Sequence, residues 1–372
     1  MAAVAVGVTI LRSSALLLAV AALGRVARAD LMPDPCACSA NKPGFFRTGT
    51  LTGNSDDIDK LRAAWKEDGF IPQLTYASEV FTSPELDHKA VIAGLAVLGL
   101  DLDFGKLVHD GLGTSHVSAV GLHGDGLSAE LKDVYGVSGN VAPQDLRLFE
   151  AWIEQPISKF TLRVGILAAD QEFILARHST ALLNATFGII SQLSFNLAGP
   201  VYPVGTPGLS GRLELTGFTA RVAAYDGDQQ NVHGIPKGLG SDTLEIAEVE
   251  YGELLKLGAW HHSKYGTGAY AIVDHQLERY LGAFVRGGAS PSEPVRGYID
   301  TGVRIGPGPF RDGDFIGVGV AWARTQMMGD QIVLEGTYQA QFGWLTIQPD
   351  LQLVMLQDRT AAIIATRVTI VL

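Results

Sequence analysis

Charged, amide and aromatic side chains recur at every second position in several segments of the chain. In residues 149–154, for example, Glu150, Trp152 and Glu154 alternate with the apolar Phe149, Ala151 and Ile153. Such alternation places the polar set on one face of an extended strand. The predicted polar-face residues are Glu150, Trp152, Glu154, Arg163, Arg212, Glu214, Glu335, Gln339, Gln341 and Arg367. Together they offer hydrogen-bond donors, acceptors and an aromatic ring, which suits binding of a polar solute.

The sequence shows no pattern of a common enzyme class. It contains no G-x-S-x-G, no H-E-x-x-H, no P-loop and no dinucleotide fingerprint. The only adjacent histidines, His261 and His262, lack a third ligand at a defined spacing. We therefore expect a protein that is not an enzyme and that has no metal ion or cofactor.

The first 29 residues have the features of a secretory signal peptide. Arg12 precedes an apolar stretch over residues 14–24, and Ala27-Arg28-Ala29 forms a small-residue cleavage site. Arg25 interrupts the apolar stretch too early for a membrane-spanning helix, which needs about 20 residues. Export from the cytoplasm is the expectation.

Composition excludes several classes of protein. Without residues 1–29 the chain has 25 basic and 39 acidic side chains, a formal charge of −14, which argues against nucleic-acid binding. The 44 glycines and the 18% of charged residues suit a β-protein with many turns whose surface only partly faces water. Cys36 and Cys38, one residue apart, do not indicate a disulfide framework.

The pattern along the chain predicts three regions. These are a signal peptide (1–29), a leader with one short amphipathic helix (30–68), and a β-structure (69–372) in which segments of about ten residues alternate. In the segment 332–342, Ile332, Leu334 and Phe342 share one parity, and Glu335 and Gln341 the other.

Two architectures produce this pattern, a soluble β-sandwich and a membrane β-barrel. Segments of this length match a tilted membrane crossing, and the last one runs to Leu372. Aromatic residues near the segment ends could form an interfacial girdle: Phe70, Trp152, Phe160, Trp260, Tyr298, Trp322, Phe342 and Trp344. We therefore predict an all-β fold, a closed antiparallel transmembrane β-barrel of about 16 strands with a short N-terminal helix.

Several runs resemble the OprB-type carbohydrate-selective porins, in the order of that family. The matching runs are 148–155 (LFEAWIEQ), 162–165 (LRVG), 170–173 (DQEF), 183–188 (LNATFG), 199–203 (GPVYP) and 345–352 (LTIQPDLQ). The resemblance implies an outer-membrane porin that allows passive, carbohydrate-selective diffusion of small sugars into the periplasm. It also implies a lumen narrowed by loops that fold inward.

The long segment from Ala169 to Gly211 is the predicted constriction loop, with Glu172, Phe173, Asn184 and Tyr202 as candidate lining residues. The polar-face residues become candidate sugar contacts, because sugars need paired donors and acceptors and aromatic rings. Arg163 and Glu150 are the pair we expect to matter first.

The expected partners are mono- and oligosaccharides, outer-membrane lipids and lipopolysaccharide, and the barrel-assembly machinery. A monomer or a weak oligomer is expected. Two alternatives stay open from the sequence: a non-selective or organic-acid porin of the same fold, and a secreted soluble carbohydrate-binding β-protein.

Overall fold

The computed structural model describes residues 56–86, 90–197, 199–228, 239–252, 254–291, 294–307, 311 and 313–371. All described residues lie in one compact unit, Gly44–Leu372. The predicted signal peptide, Cys36, Cys38 and Leu372 fall outside the described residues. The domain boundaries stay predictions.

Sixteen antiparallel strands close into one barrel within the described residues, because β1 pairs with β16 as well as with β2. The first eight are β1 (Phe70–Thr82), β2 (Val91–Asp103), β3 (Thr114–Gly124), β4 (Asp145–Ile157), β5 (Phe160–Leu167), β6 (Thr206–Leu215), β7 (Phe218–Asp226) and β8 (Thr243–Tyr251). The last eight are β9 (Leu255–His262), β10 (Gly266–Glu278), β11 (Leu281–Ala289), β12 (Val295–Ile305), β13 (Phe315–Thr325), β14 (Asp330–Phe342), β15 (Leu345–Met355) and β16 (Thr360–Val371). The predicted barrel is confirmed, and closure excludes the sandwich.

The helices are short apart from α1 (Asp56–Glu67), which confirms the predicted N-terminal helix. The others are α2 (Phe104–Leu107), α3 (Ser128–Leu131), α4 (Ala185–Gly188) and α5 (Ser191–Ser194). Lys106 Nζ donates a hydrogen bond of 2.7 Å to the Lys66 carbonyl at the end of α1. None of the described helices has the length and apolar character to cross a membrane.

The predicted alternation sorts side chains between the two faces of the barrel wall. On β14, Leu334 is 41% exposed on the outer face, whereas its neighbour Glu335 is 1% exposed on the inner face. Ile316 and Val318 on β13 are likewise exposed on the outside. An apolar outer face and a polar inner face are the arrangement that a barrel in lipid requires.

A β-bulge on β4 overturns one prediction. Glu150 pairs with Ser118 but Leu148 pairs with Ala119, so Phe149 is an extra residue in the strand. Phe149 and Glu150 are therefore both buried on the inner side, at 2% and 7% exposure. The sequence pattern had placed Phe149 on the apolar outer parity, which is wrong because the bulge shifts the parity of everything before it.

The aromatic girdle is confirmed at four of its predicted positions and wrong at three. Phe70, Phe160, Phe342 and Trp344 are exposed at one end of the barrel, where Phe218, Tyr251 and Tyr280 join them. Trp152, Trp260 and Tyr298 are instead buried inside the barrel. The alternation of side chains along each strand explains this burial. On β9, for example, Trp260 is at an inward-facing position, whereas Leu257 is at an outward-facing one and is exposed. Trp322 lies on the outer face at the opposite end, and its Nε1 donates to Asp330.

The two ends of the barrel differ in the length of their connections. At the short-turn end, two residues join β4 to β5, β6 to β7, β10 to β11 and β14 to β15. At the long-loop end lie the β3–β4 loop (residues 125–144) and the β5–β6 loop (residues 168–205). The predicted long loop ends earlier than expected, because residues 206–211 belong to β6.

Candidate functional site

The β5–β6 loop lies inside the barrel and is hydrogen-bonded to its wall. The Glu335 carboxylate accepts from the backbone N–H groups of Leu183 (2.5 Å) and Asn184 (3.0 Å). The Asn184 side chain donates to Gln352 Oε1 at 2.9 Å. A side chain at Gly319 on β13 would collide with Leu182 of the loop, so this glycine permits the close approach. The loop is therefore fixed against strands β13 to β15.

A buried ion pair holds the middle of the same loop. The Arg286 Nη2 atom donates to Asp300 Oδ2 at 2.5 Å and to the Thr186 carbonyl at 2.8 Å. The Tyr298 hydroxyl also donates to this pair, in a hydrogen bond of 2.7 Å to Asp300 Oδ2. All of these groups are buried. The pair joins β11 and β12 to the loop and leaves none of its charge facing the lumen.

The β3–β4 loop completes the internal lining. Its Tyr135 hydroxyl accepts from the Ala323 N–H at 2.9 Å and donates to the Gln331 carbonyl. The two loops are joined to each other by the Gly139 N–H bond to the Leu183 carbonyl (3.0 Å). The two loops thus contact the inner faces of strands β11 to β15, and the predicted site residues of β4 and β5 lie on the other wall.

Five residues on that other wall form the Arg163 cluster, defined as His116, Trp152, Glu154, Arg163 and Glu172. Arg163 Nε and Nη2 donate to Glu154 Oε2 at 3.0 and 2.6 Å, and Nη1 lies 2.5 Å from Glu172 Oε1. Glu154 and Arg163 are directly opposite on β4 and β5. Glu172 reaches the pair from the β5–β6 loop. The guanidinium is therefore fixed by two carboxylates from different segments.

The Trp152 ring is enclosed within this cluster. The Arg163 guanidinium carbon lies 4.0 Å above the ring centroid, and the His116 ring stacks at 5.2 Å. His116 in turn contacts Asp101, with Nδ1 and Oδ1 2.7 Å apart. Both faces of Trp152 are therefore occupied by protein groups. Its ring orients Arg163 through cation–π contact, and the side chains of Arg163, Glu154 and Glu172 each stay 10–16% exposed.

Glu150 and Arg163, the two residues expected to matter first, form no ion pair with each other in the described part of the chain. Glu150 is buried and accepts from the Ala168 N–H at 3.4 Å. The next carboxylate, Asp170, accepts from the Tyr202 N–H at 3.0 Å and so ties the two ends of the β5–β6 loop together. Burial raises the pKa of Asp170 to about 6. The carboxylates of Glu150 and Asp170 are thus buried and are not part of the Arg163 cluster.

A second polar group is centred on Arg147, which the sequence pattern missed, and on Tyr202, a predicted lining residue of the constriction loop. Arg147 is 3% exposed; its Nη2 donates to the Pro143 carbonyl at 3.0 Å and lies 3.7 Å from Asp145. Its Nε and Nη1 atoms have no hydrogen-bond partner among the described residues. The Tyr202 ring packs edge-on against Phe149 at 5.7 Å. Arg147 faces inward only because of the β4 bulge, which no sequence signal announces.

The last-strand candidate Arg367 pairs with a residue on the first strand. Its Nε atom donates to Glu79 Oε1, and its Nη2 atom donates to Ser138 Oγ at 3.2 Å. Asn140 of the β3–β4 loop also donates to Glu79 Oε1, at 2.9 Å. Arg367 therefore fixes the loop where the barrel closes.

The other predicted residues are distributed over the lumen. Arg212 and Glu214 form a 3.1 Å ion pair at the short-turn rim and are the most exposed of the set. Gln339 and Gln341 are buried on the inner face of β14. Phe173 is buried within the β5–β6 loop, and Asn184 caps α4 by accepting from the Thr186 N–H. These residues are therefore not brought together with the Arg163 cluster.

Histidine and acidic side chains form no metal centre in the described part of the chain, where no group of three or more could hold an ion. His261 is exposed on the outer face, whereas the His262 Nε2 atom contacts the Gly227 carbonyl at 3.1 Å.

Comparison with known proteins identifies relatives of this fold. The family model "Carbohydrate-selective porin, OprB family" matches residues 87–271. The high-pH structure of Pseudomonas putida OprB superimposes with a TM-score of 0.75 at 16% identity, covering 90% of this chain and 100% of that chain. Its low-pH structure gives a TM-score of 0.61 at 16% identity, covering 86% and 98%. A triple mutant of the Rhodopseudomonas blastica porin gives 0.54 at 10% identity, covering 82% and 100%. No curated protein matches the chain.

Proposed function

Because the chain belongs to the OprB family of carbohydrate-selective porins, we propose that it is a pore through which small sugars diffuse passively into the periplasm. This family and fold are those of outer-membrane transport channels rather than enzymes. The proposal concerns what crosses the pore, in which direction, and by which contacts.

The Arg163 cluster is the observation that carries the proposal. A sugar is neutral and has many hydroxyl groups, each of which both donates and accepts hydrogen bonds. The carboxylates of Glu154 and Glu172 can accept hydrogen bonds from the sugar hydroxyl groups. The Arg163 guanidinium can donate hydrogen bonds to the same hydroxyl groups. Because Glu154 and Glu172 already compensate the charge of Arg163, the cluster offers hydrogen bonds without strong attraction for ions. Weak, saturable binding is the expected result, as a diffusion pore requires.

Arg147 supplies a second set of donors along the same wall. A buried guanidinium with unused N–H groups costs free energy, roughly 1–3 kcal/mol for each unsatisfied donor. Because both donor atoms are buried, a hydroxyl group of a solute would reach them only if the side chain turned toward the lumen. With Tyr202 beside it, Arg147 would then extend the polar path beyond the Arg163 cluster.

We infer the orientation of the barrel in the membrane from its two different ends, and the concentration gradient of the sugar then sets the direction of diffusion. In barrels of this class the short turns face the periplasm and the long loops face outward. The exposed aromatic belt at the short-turn end then lies at the inner interface of the outer membrane. The predicted N-terminal signal peptide supports export, which insertion by the barrel-assembly machinery would follow. Outer-membrane lipids and lipopolysaccharide surround the barrel, which we propose to be a monomer or a weak oligomer.

Single-channel conductance of the detergent-purified mature chain in a planar bilayer tests the proposal. Addition of glucose or a maltose-type sugar should reduce the open-channel current progressively and saturably. Current steps that do not respond to any sugar would still indicate a pore but would contradict a saccharide-binding site in it.

Liposome swelling tests the alternative of a non-selective pore. Vesicles that contain the protein should swell faster in glucose than in amino acids of matched size. Equal rates for both classes of solute would contradict carbohydrate selectivity and favour a general diffusion pore.

A further inference from the structure

Two arginines inside the barrel lack the carboxylate partners that the other lumen arginines have. Arg304 is half-buried near the short-turn end of β12, on the same inner parity as the buried Tyr298 and Asp300. Arg177 is exposed on the β5–β6 loop. In the part of the chain that the structure describes, neither side chain forms an ion pair or a hydrogen bond.

The fold holds these two guanidinium groups near each other. Gly282 is the cross-strand neighbour of Arg304, and the His178 ring lies directly over Gly282. Arg177 precedes His178 and is close enough to Arg304 for the two charges to repel. The Arg304 guanidinium carbon lies 4.5 Å above the Phe315 ring centroid, which limits its movement away from the loop.

Two acidic groups in this part of the barrel already have other partners. Asp274 contacts the His178 Nδ1 atom and accepts from the His178 backbone N–H at 3.2 Å. Asp314 on the same side accepts from the Tyr338 hydroxyl (2.6 Å) and the Gln341 N–H (2.9 Å). By contrast, Arg163, Arg221, Arg286 and Arg367 each form at least one ion pair. Repulsion between Arg177 and Arg304 is therefore not offset by these carboxylates.

The position of the pair relates it to the Arg163 cluster. In a closed barrel of sixteen strands, β12 is eight strands away from β4 in either direction and lies across the lumen from it. In the cluster the charge of Arg163 is compensated by Glu154 and Glu172, whereas Arg177 and Arg304 near β12 have no carboxylate partner in the described part of the chain. A solute between the two walls therefore meets uncompensated positive charge on the β12 side.

We propose that Arg177 and Arg304 form an anion site in the pore wall, which binds the carboxylate or phosphate oxygens of a small solute such as a sugar acid or a sugar phosphate. Guanidinium groups suit these planar or multidentate oxygen groups, and an anion between them replaces repulsion with two charge-assisted contacts. The site rests on the proposed function only in requiring an open pore. It adds a second class of solute to the neutral sugars.

The test compares the mature wild-type chain with Arg304→Gln, Arg177→Gln and the double variant in planar bilayers. Arg311→Gln is the matched control, because Arg311 lies at the same end but over the outer-face ring of Phe342. Gluconate and glucose 6-phosphate are the anionic probes, and glucose is the neutral probe. In the double variant, block by the anions should weaken about tenfold while block by glucose stays unchanged. The reversal potential in a KCl gradient should shift toward cation preference.

The outcomes separate this inference from the proposed function. Anion block that is as strong in the double variant as in Arg311→Gln overturns the anion site. A wild-type pore that glucose fails to block overturns the sugar function but leaves the anion result to be judged by itself. Weaker block by both gluconate and glucose 6-phosphate supports a site that takes either a carboxylate or a phosphate. Weaker block by glucose 6-phosphate alone supports a site that takes phosphate. Because Arg177 is exposed, Arg177→Gln preserves folding if Arg304→Gln does not.

Discussion

Two of the arginine–carboxylate pairs that join neighbouring strands of the barrel differ in their consequences. Arg286 and Asp300 face each other on β11 and β12, as Glu154 and Arg163 do on β4 and β5. The first pair is wholly buried beneath the β5–β6 loop, where it also binds the Thr186 carbonyl. The second keeps part of its surface open, with side-chain exposures of 10% for Arg163 and 16% for Glu154. What covers the pair decides whether it holds the loop or meets a solute.

The largest difference between the two pairs should appear in stability. Replacing Arg286 in Arg286→Met leaves the Asp300 carboxylate buried without its partner, which should cost about 3–5 kcal/mol in the free energy of unfolding. Urea unfolding in detergent or lipid measures this. The double variant Arg286→Met/Asp300→Leu is the control, because it removes both charges and should recover most of the loss. A single variant as stable as the wild type would contradict a structural role.

The second comparison concerns the attachment of the loop. Glu335→Ala removes the acceptor for the Leu183 and Asn184 N–H groups, at a cost of roughly 2–3 kcal/mol. A loop released from β14 should fluctuate, so single-channel current should become noisier and its mean value should change. Gln339→Ala, on the same strand and inner face, is the matched control. Quiet current in Glu335→Ala would show that the other anchors suffice.

The third comparison concerns how the free energy of unfolding depends on pH through the buried Asp170 of the β5–β6 loop. The pKa of Asp170 is raised by burial to about 6, above the ordinary value of about 3.9, so the folded state binds this proton more tightly than the unfolded state. Stability from this group is therefore complete below pH 4 and is lost as the pH rises through 6, by roughly 2–3 kcal/mol. Asp170→Asn should remove this component of the pH dependence in urea unfolding. An unchanged pH profile in that variant would assign the effect to another group.

The fourth comparison tests the solute-facing pair itself. Arg163→Ala should weaken block by glucose about tenfold, because donors to the sugar are lost. Its effect on stability should be smaller than that of Arg286→Met, since water reaches the exposed glutamates. Conductance titration measures the block, and Arg212→Ala at the exposed rim is the control. Equal block by glucose in Arg163→Ala and Arg212→Ala would indicate that the sugar contacts the lumen elsewhere.

The sequence predicted which way most of these side chains point, because alternation fixes the face of Arg163, Glu335 and Gln341. It failed at Phe149 and Arg147, since one extra residue in β4 reverses the parity of the preceding residues. It also failed to identify the partner of Arg163. Glu172 arrives from a loop whose path depends on contacts more than 150 residues away, such as the Leu183 bond to Glu335.

The smallest effect separates contact from orientation within the Arg163 cluster. Because both faces of Trp152 are covered by His116 and Arg163, Trp152 should act on the sugar only by positioning the guanidinium. Trp152→Leu removes a cation–π contact of about 0.5–1 kcal/mol and should weaken glucose block roughly two- to fivefold. Trp152→Phe retains an aromatic face and should restore most of the block in the same titration. If Trp152→Leu loses more block than Arg163→Ala, the ring itself contacts the sugar, and the cluster must open to admit it.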